Sequence, residues 1–179
     1  AITIQGSRLA VSEGQGISLV GGDITIQGSI VAPGTVRSEG IFAAGGQINV
    51  VSVASAGEVL SSTVQFAPNV NAQSFSRLGN ISITGGSMLD ASGDAAGTVR
   101  IRGGRFVMND ATISTDTGSV PGAAPAIDIL LQNDLSITAT TVPALTARAS
   151  DSANAGDIRV QSAAIEVNVQ AEDFLTVID

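Results

Sequence analysis

The hexapeptide Ile2-Thr3-Ile4-Gln5-Gly6-Ser7 returns unchanged as Ile24-Thr25-Ile26-Gln27-Gly28-Ser29, 22 positions further along the chain. A looser unit also recurs: a small residue, any residue, and then Ile/Val-x-Ile/Val. It occurs at 22–26, 46–50, 79–83, 97–101, 125–129 (degenerate, with Pro125 in the glycine position) and 156–160, at spacings of 24, 33, 18, 28 and 31 residues. Irregular repeats of this length are typical of a solenoid with loops of varied size.

Each unit alternates apolar and polar residues with a period of two, which predicts a β-strand with one buried face. Glycine at the corners allows the positive φ of a sharp bend. Shorter strands are expected after such corners at 29–32, 87–91, 105–108 and 111–114, and further strands at 164–169 and 174–178. No segment has a convincing amphipathic helix pattern, and 144–155 is interpreted as a loop.

The predicted fold is all-β, a right-handed parallel β-helix (β-solenoid) of about 8 rungs with irregular loop insertions. Stacked strands would place Ile/Val above Ile/Val, and parallel crossovers are almost always right-handed. A hairpin-based sandwich is the structural rival, but it needs alternating antiparallel pairs rather than a recurring strand–corner–strand unit. We expect one domain over 1–179, a fragment of a longer chain, with insertions at 33–45, 54–77, 117–124 and 140–155. The insertion at 54–77 is expected to be lateral.

The composition excludes several kinds of chemistry. Hydrophobic residues make up 44%, which suffices for a core, and aromatic residues only 3%. Cys, His and Lys are absent, so no thiol nucleophile, histidine base, thiolate zinc site or P-loop lysine is available. The net charge of −8 argues against nucleic acid as a partner, because no basic patch neutralises phosphates. No apolar stretch is long enough for a membrane helix.

The segments 21–34 and 45–59, and the stretch 78–106 with its paired glycine corners, resemble the haemagglutination-type domain of filamentous haemagglutinin-like exoproteins. The resemblance covers roughly 1–115 and extends more loosely to the rest. It implies a β-helical exoprotein of a Gram-negative bacterium or cyanobacterium, secreted or held on the outer cell surface. It also implies an outer-membrane two-partner-secretion transporter as a partner. The family's Asn-Pro-Asn-Gly signature does not occur here, which is expected of an internal segment beyond the secretion motifs.

Two carboxylates, Asp90 and Asp94, lie four positions apart around a glycine turn. They could form a calcium corner or an acid/base pair like that of polysaccharide-cleaving β-helices. The favoured interpretation is a solvated turn with Asx capping, because no dense run of Asp and no calcium-binding nonapeptide accompanies them.

Arg100, Arg102 and Arg105 form the second candidate cluster. Arg100 and Arg102 flank Ile101, so both are expected on the outer face of one strand. They could bind a sugar acid or phosphate, but pairing with Asp on neighbouring rungs or simple solvation is favoured.

Three weaker signals are interpreted structurally. The sequon Asn80-Ile81-Ser82 is taken as chance. The pairs Thr115/Thr117 and Thr138/Thr140 fall short of a regular threonine ladder. Asn49 and Asn109 are expected to form side-chain amide contacts between rungs.

The sequence therefore predicts no catalytic, cofactor-binding or metal-binding residue and no cofactor. The leading hypothesis is a structural or adhesive segment of a fibrous exoprotein, with a cell-surface or carbohydrate ligand as a possible partner. One alternative is a self-stacking surface-layer or filament subunit. The other is a β-helical polysaccharide lyase or hydrolase, which would need Asp and Arg clustered in one groove.

Overall fold

The described residues form an all-β fold of sixteen strands without a helix. The computed structural model describes residues 1–29, 39–58, 74–140 and 144–169. Sheet A contains β1 (Ile2–Gln5), β4 (Ile24–Gln27), β7 (Ile81–Thr84), β10 (Phe106–Asn109), β13 (Asp134–Ala139) and β16 (Ala164–Val169). Sheet B contains β2 (Arg8–Ala10), β5 (Gly40–Phe42), β8 (Met88–Asp90), β11 (Thr112–Ser114) and β14 (Leu145–Thr146). Sheet C contains β3 (Gly16–Gly21), β6 (Gln47–Ser52), β9 (Thr98–Gly103), β12 (Ile127–Leu131) and β15 (Ile158–Gln161).

The chain visits the three sheets in turn, and every pairing of named strands is parallel. One strand from each sheet makes a coil, and the described strands complete five coils and begin a sixth. The parallel β-solenoid expected from the sequence is therefore confirmed. The identical segments stack directly on each other, with Ile2 paired to Ile24 and Gln5 to Gln27.

The recurring sequence unit, a small residue followed by x-Ile/Val-x-Ile/Val, lies in strands of two different sheets. Residues 24–26 and 81–83 lie in sheet A, whereas 48–50, 99–101, 127–129 and 158–160 lie in sheet C. Its spacing is therefore not the length of one coil. In sheet A the offset is 22 residues from Ile2 to Ile24, 57 from Ile24 to Ile81 and 25 from Ile81 to Phe106.

Two predicted loops contain strands. The expected insertion 33–45 includes β5, and the window 144–155 includes β14. These strands have only three and two residues, too few to show a period of two. Their conformation is set by the strands that they pair with. Strands predicted near 87–91, 105–108, 111–114 and 164–169 are present, whereas 30–32 and 174–178 lie outside the described residues.

The two ends of the expected lateral insertion 54–77 lie next to each other. Val53 forms an antiparallel bridge with Leu78, and the Ala54 N–H donates to the Arg77 carbonyl at 2.9 Å. Residues 59–73 of this insertion lie outside the described residues.

Stacked aliphatic side chains fill the interior. Ile41, Ile83, Leu89 and Ile101 have no exposed surface, and each belongs to one continuous cluster contributed by all three sheets. Because aligned strands carry aligned apolar residues, each coil adds another layer to the same core. The few aromatic residues are not needed for this, although Phe106 is fully buried in sheet A.

Glycine has two distinct roles at the corners. Gly85 and Gly86 have φ of 66° and 81°, as expected for a bend that other residues adopt with strain. Gly97 is needed for space instead: a Cβ there would lie 1.7 Å from the Gly46 carbonyl oxygen. The backbones of successive coils approach too closely at this corner for any side chain.

We expect Gly97→Ala to destabilise the protein by about 1–3 kcal/mol, because backbone atoms must move to admit the methyl group. The matched control is Gly122→Ala, whose nearest neighbour would be the Gly156 nitrogen at 3.5 Å. Urea unfolding followed by circular dichroism measures both. Equal urea-unfolding midpoints for the two variants would contradict the close approach of the Gly46 and Gly97 backbones.

Candidate functional site

The outer face of sheet C holds the arginine cluster that the sequence singled out. Arg100 and Arg102 alternate with buried Val99 and Ile101 along β9, so both leave the core side of the strand as expected. In the neighbouring strand Asp128 is in register with Arg100, and Asp128 is in turn in register with Arg159. Arg105 is exposed and immediately precedes β10, a strand of sheet A.

The Arg102 side chain forms an ion pair and hydrogen bonds with neighbouring residues. Its guanidinium forms an ion pair with the Asp128 carboxylate. It also donates to the Asp128 carbonyl at 2.7 Å and to the Ile101 carbonyl at 2.9 Å. The two side chains are only 18% and 16% exposed, so solvent screens the pair less than a surface pair. The predicted pairing between coils is confirmed for Arg102, and this pair joins β9 to β12.

The two candidate carboxylates of the glycine turn accept hydrogen bonds from backbone N–H groups and do not contact each other through a hydrogen bond. Asp90 Oδ1 accepts from the Ser92 N–H at 2.9 Å, which is the expected Asx turn. Asp94 Oδ1 accepts from the Ser119 N–H at 3.0 Å and the Ser119 hydroxyl at 2.7 Å. These hydrogen bonds favour the charged form, so they hold the pKa of Asp94 below its ordinary value. Asp94 therefore fastens the loop of the next coil.

Hydroxyl groups form a largely buried network beside sheet B. Ser114 contacts Ser92 at 2.8 Å and accepts from Thr146 at 3.1 Å, which joins three successive coils. Thr115 and Thr117, the first threonine pair, are buried and bonded to backbone carbonyls. These hydroxyls exchange their hydrogen bonds to water for hydrogen bonds to protein groups, so they stabilise the stack.

The second threonine pair is divided between two environments. Thr140 donates to the Asp110 carboxylate at 2.7 Å at a corner, whereas Thr138 lies on the outer face of sheet A. Asn49 makes the expected contact between coils, donating to the Ser18 hydroxyl at 2.9 Å. Asn109 does not: its exposed side chain has no hydrogen-bond partner in the described part of the chain. In the sequon, Asn80 is exposed before β7 and Ser82 is half-buried within it.

Sheet A carries a largely uncharged, mostly polar surface that the sequence reasoning missed. Its outward positions align in two columns across six strands, and we call them together the polar array. The first column is Thr3, Thr25, Ser82, Val107, Ser136 and Glu166, and the second is Gln5, Gln27, Thr84, Asn109, Thr138 and Asn168. The repeated Ile-Thr-Ile-Gln segment contained the signal, because alternate residues of stacked identical strands must form columns.

No group of three or more Asp or Glu able to hold a metal ion occurs within the ranges that the structure describes. Those same ranges contain no helix long and apolar enough to span a bilayer.

No protein-family model, curated protein or solved structure matches this chain.

We expect Arg102→Met to lower the free energy of unfolding by about 1–3 kcal/mol, since it leaves a largely buried carboxylate without its cation. Arg105→Met removes the same charge from an exposed position and should change stability by less than about 0.5 kcal/mol. Urea unfolding at pH 7 compares the two. A smaller loss for Arg102→Met than for Arg105→Met would show that the pair contributes nothing.

We expect Ser119→Ala to raise the pKa of Asp94 towards the ordinary Asp value of about 3.9, because one hydrogen bond to the carboxylate is lost. A depressed folded-state pKa stabilises the fold above the unfolded pKa, and this contribution disappears as the pH falls through the folded pKa. NMR titration of the Asp94 carboxyl carbon measures the change. Ser162→Ala is the control and should leave the Asp94 titration as it is; an unchanged Asp94 pKa in Ser119→Ala contradicts the assignment.

Proposed function

We propose that the chain is a structural and adhesive segment of a secreted or cell-surface fibrous exoprotein of the filamentous haemagglutinin type. The observation that carries the proposal is the continuous three-sheet stack, in which Arg102–Asp128, Asp94–Ser119 and Ser114–Thr146 each join one coil to the next. An extended stack of this kind suits a shaft that presents its lateral faces to partners.

The further details of this proposal follow from the resemblance and from general rules. We propose a right-handed winding, because parallel crossovers almost always have that hand. The count of about 8 rungs stays a prediction. Export through an outer-membrane two-partner-secretion transporter, and a location outside a Gram-negative or cyanobacterial cell, are proposed from the resemblance alone.

A self-stacking filament subunit is the second candidate, and one observation favours it. β16 is the outermost described strand of sheet A, and its Ile165 and Val167 side chains are 54% and 41% exposed. They continue the apolar column that Leu135 and Ile137 occupy in β13, so another strand placed there would extend the core. Such an addition is β-augmentation by a further chain.

A polysaccharide-cleaving enzyme is less well supported. That function needs carboxylates and a base converging on one groove. Asp128, the carboxylate of the arginine cluster, is bound to Arg102, and Asp90 and Asp94 cap turns. We therefore propose that the segment is not catalytic.

Attachment of coated beads tests the proposed function. Beads carrying the folded chain should retain cells or cell-wall polysaccharide at least several-fold better than control beads. The control beads carry the Gly97→Ala variant after it has been unfolded. The difference is expected because attachment needs the assembled faces. Equal retention by the unfolded chain would overturn the proposal. Polysaccharide depolymerisation that Asp128→Asn abolishes would favour the enzyme, and a molar mass rising with concentration in sedimentation equilibrium would favour the filament subunit.

A further inference from the structure

We propose that the polar array on the outer face of sheet A is a binding surface for an uncharged, linear polysaccharide lying across the strands. The proposal rests on the adhesive role proposed above and adds the ligand class and the face.

The hydrogen-bonding groups of the array differ from those of the other faces. Its side chains make no hydrogen bond within the described part of the chain. Elsewhere the same residue types do have structural partners: Ser92, Ser114 and Thr146 join three coils beside sheet B, and Asn49 joins two in sheet C. Among the described residues, the array thus presents unbonded donors and acceptors, whereas these residues of the other faces have bonded ones.

The spacing of these groups suits a polymer. Residues in register on adjacent strands are about 4.8 Å apart, so each column repeats a hydroxyl or amide group at short, regular intervals. Ser, Thr, Asn and Gln side chains each both donate and accept, as sugar hydroxyls do. A chain of sugars laid along the columns can engage several coils at once, and the later contacts form at high effective concentration.

Charge and composition favour a neutral ligand over other partners. Glu166, at one end, is the single charged residue in the two columns, although the chain as a whole carries −8. A phosphate or sulfate polymer would require cations that the columns do not have. Val107 is the one apolar residue, and no aromatic side chain is present, which disfavours a protein interface or a lipid surface.

A border of mixed charge runs along one side of the array. Asp23 and Arg105 immediately precede β4 and β10, and Asp134 is the first residue of β13, so the signs alternate along this edge. Such a border offers further hydrogen bonds to hydroxyl groups but no net attraction for a polyanion.

Affinity electrophoresis tests the proposal with defined probes. The folded chain is run through native gels containing dextran, soluble starch, hydroxyethyl cellulose or galactomannan, and through gels containing dextran sulfate. We expect retardation by at least one neutral polymer, little change with added NaCl because no charges are involved, and at least tenfold weaker binding of the corresponding monosaccharide.

The double variant Gln27→Ala/Asn109→Ala removes two exposed amides from the second column. It should keep the wild-type unfolding midpoint and weaken binding about tenfold or more, the effect of two ordinary hydrogen bonds. The matched control Asn154→Ala/Gln161→Ala removes two exposed amides outside the array and should bind like the wild type.

Three results would overturn the assignment: no retardation by any neutral polymer, retardation by dextran sulfate alone with loss at high salt, or equal weakening in the control. The bead assay separates this failure from failure of the proposed function. Cells retained equally by the wild type and by Gln27→Ala/Asn109→Ala would leave the adhesive role standing and reject the polar array as its binding face.

Discussion

Parallel backbone pairing between successive coils is the interaction on which the rest of this protein depends. Each strand hydrogen-bonds to the equivalent strand of the next coil, so residues stand in columns. A slip of one residue would exchange every inward side chain for an outward one. The Ile, Val and Leu columns prevent such a slip, because any other register would expose them to water. Ile83 and Ile101 are fully buried for this reason, although each belongs to a strand of six residues or fewer.

The same constraint limits which residues can occupy the corners. Strands paired at sheet spacing leave no room for a side chain where two corner backbones stack, and Gly46 and Gly97 meet there. This contact explains a glycine before the sheet C strands better than backbone conformation does. The loops beyond the corners are free to vary in length, since they need only return the chain to the register of the next strand.

Once the register is fixed, the three outer faces have different roles. The face of sheet C carries Arg102 and Asp128 as a largely buried ion pair between coils. Beside sheet B, hydroxyl groups such as Ser114 bond to one another across coils. The amides and hydroxyls in the two columns of sheet A have no side-chain hydrogen bond to another described residue. The shaft segment that we propose would need both kinds of surface: groups that join its coils and a face that partners can reach.

The sequence by itself determined the strand character, the parallel stacking and the apolar interior, because alternation and the repeated Ile-Thr-Ile-Gln segment are local patterns. It also indicated that Arg100 and Arg102 share one face and that Asp90 caps a turn. It did not reveal β5 or β14, which are too short to show a period, or that one motif serves two sheets. Which residues meet across coils was decided by the tertiary structure alone: Arg102 finds Asp128, and Gln27 aligns with Thr84 and Asn109. Loops of unequal length separate these partners, so only the folded register brings them together.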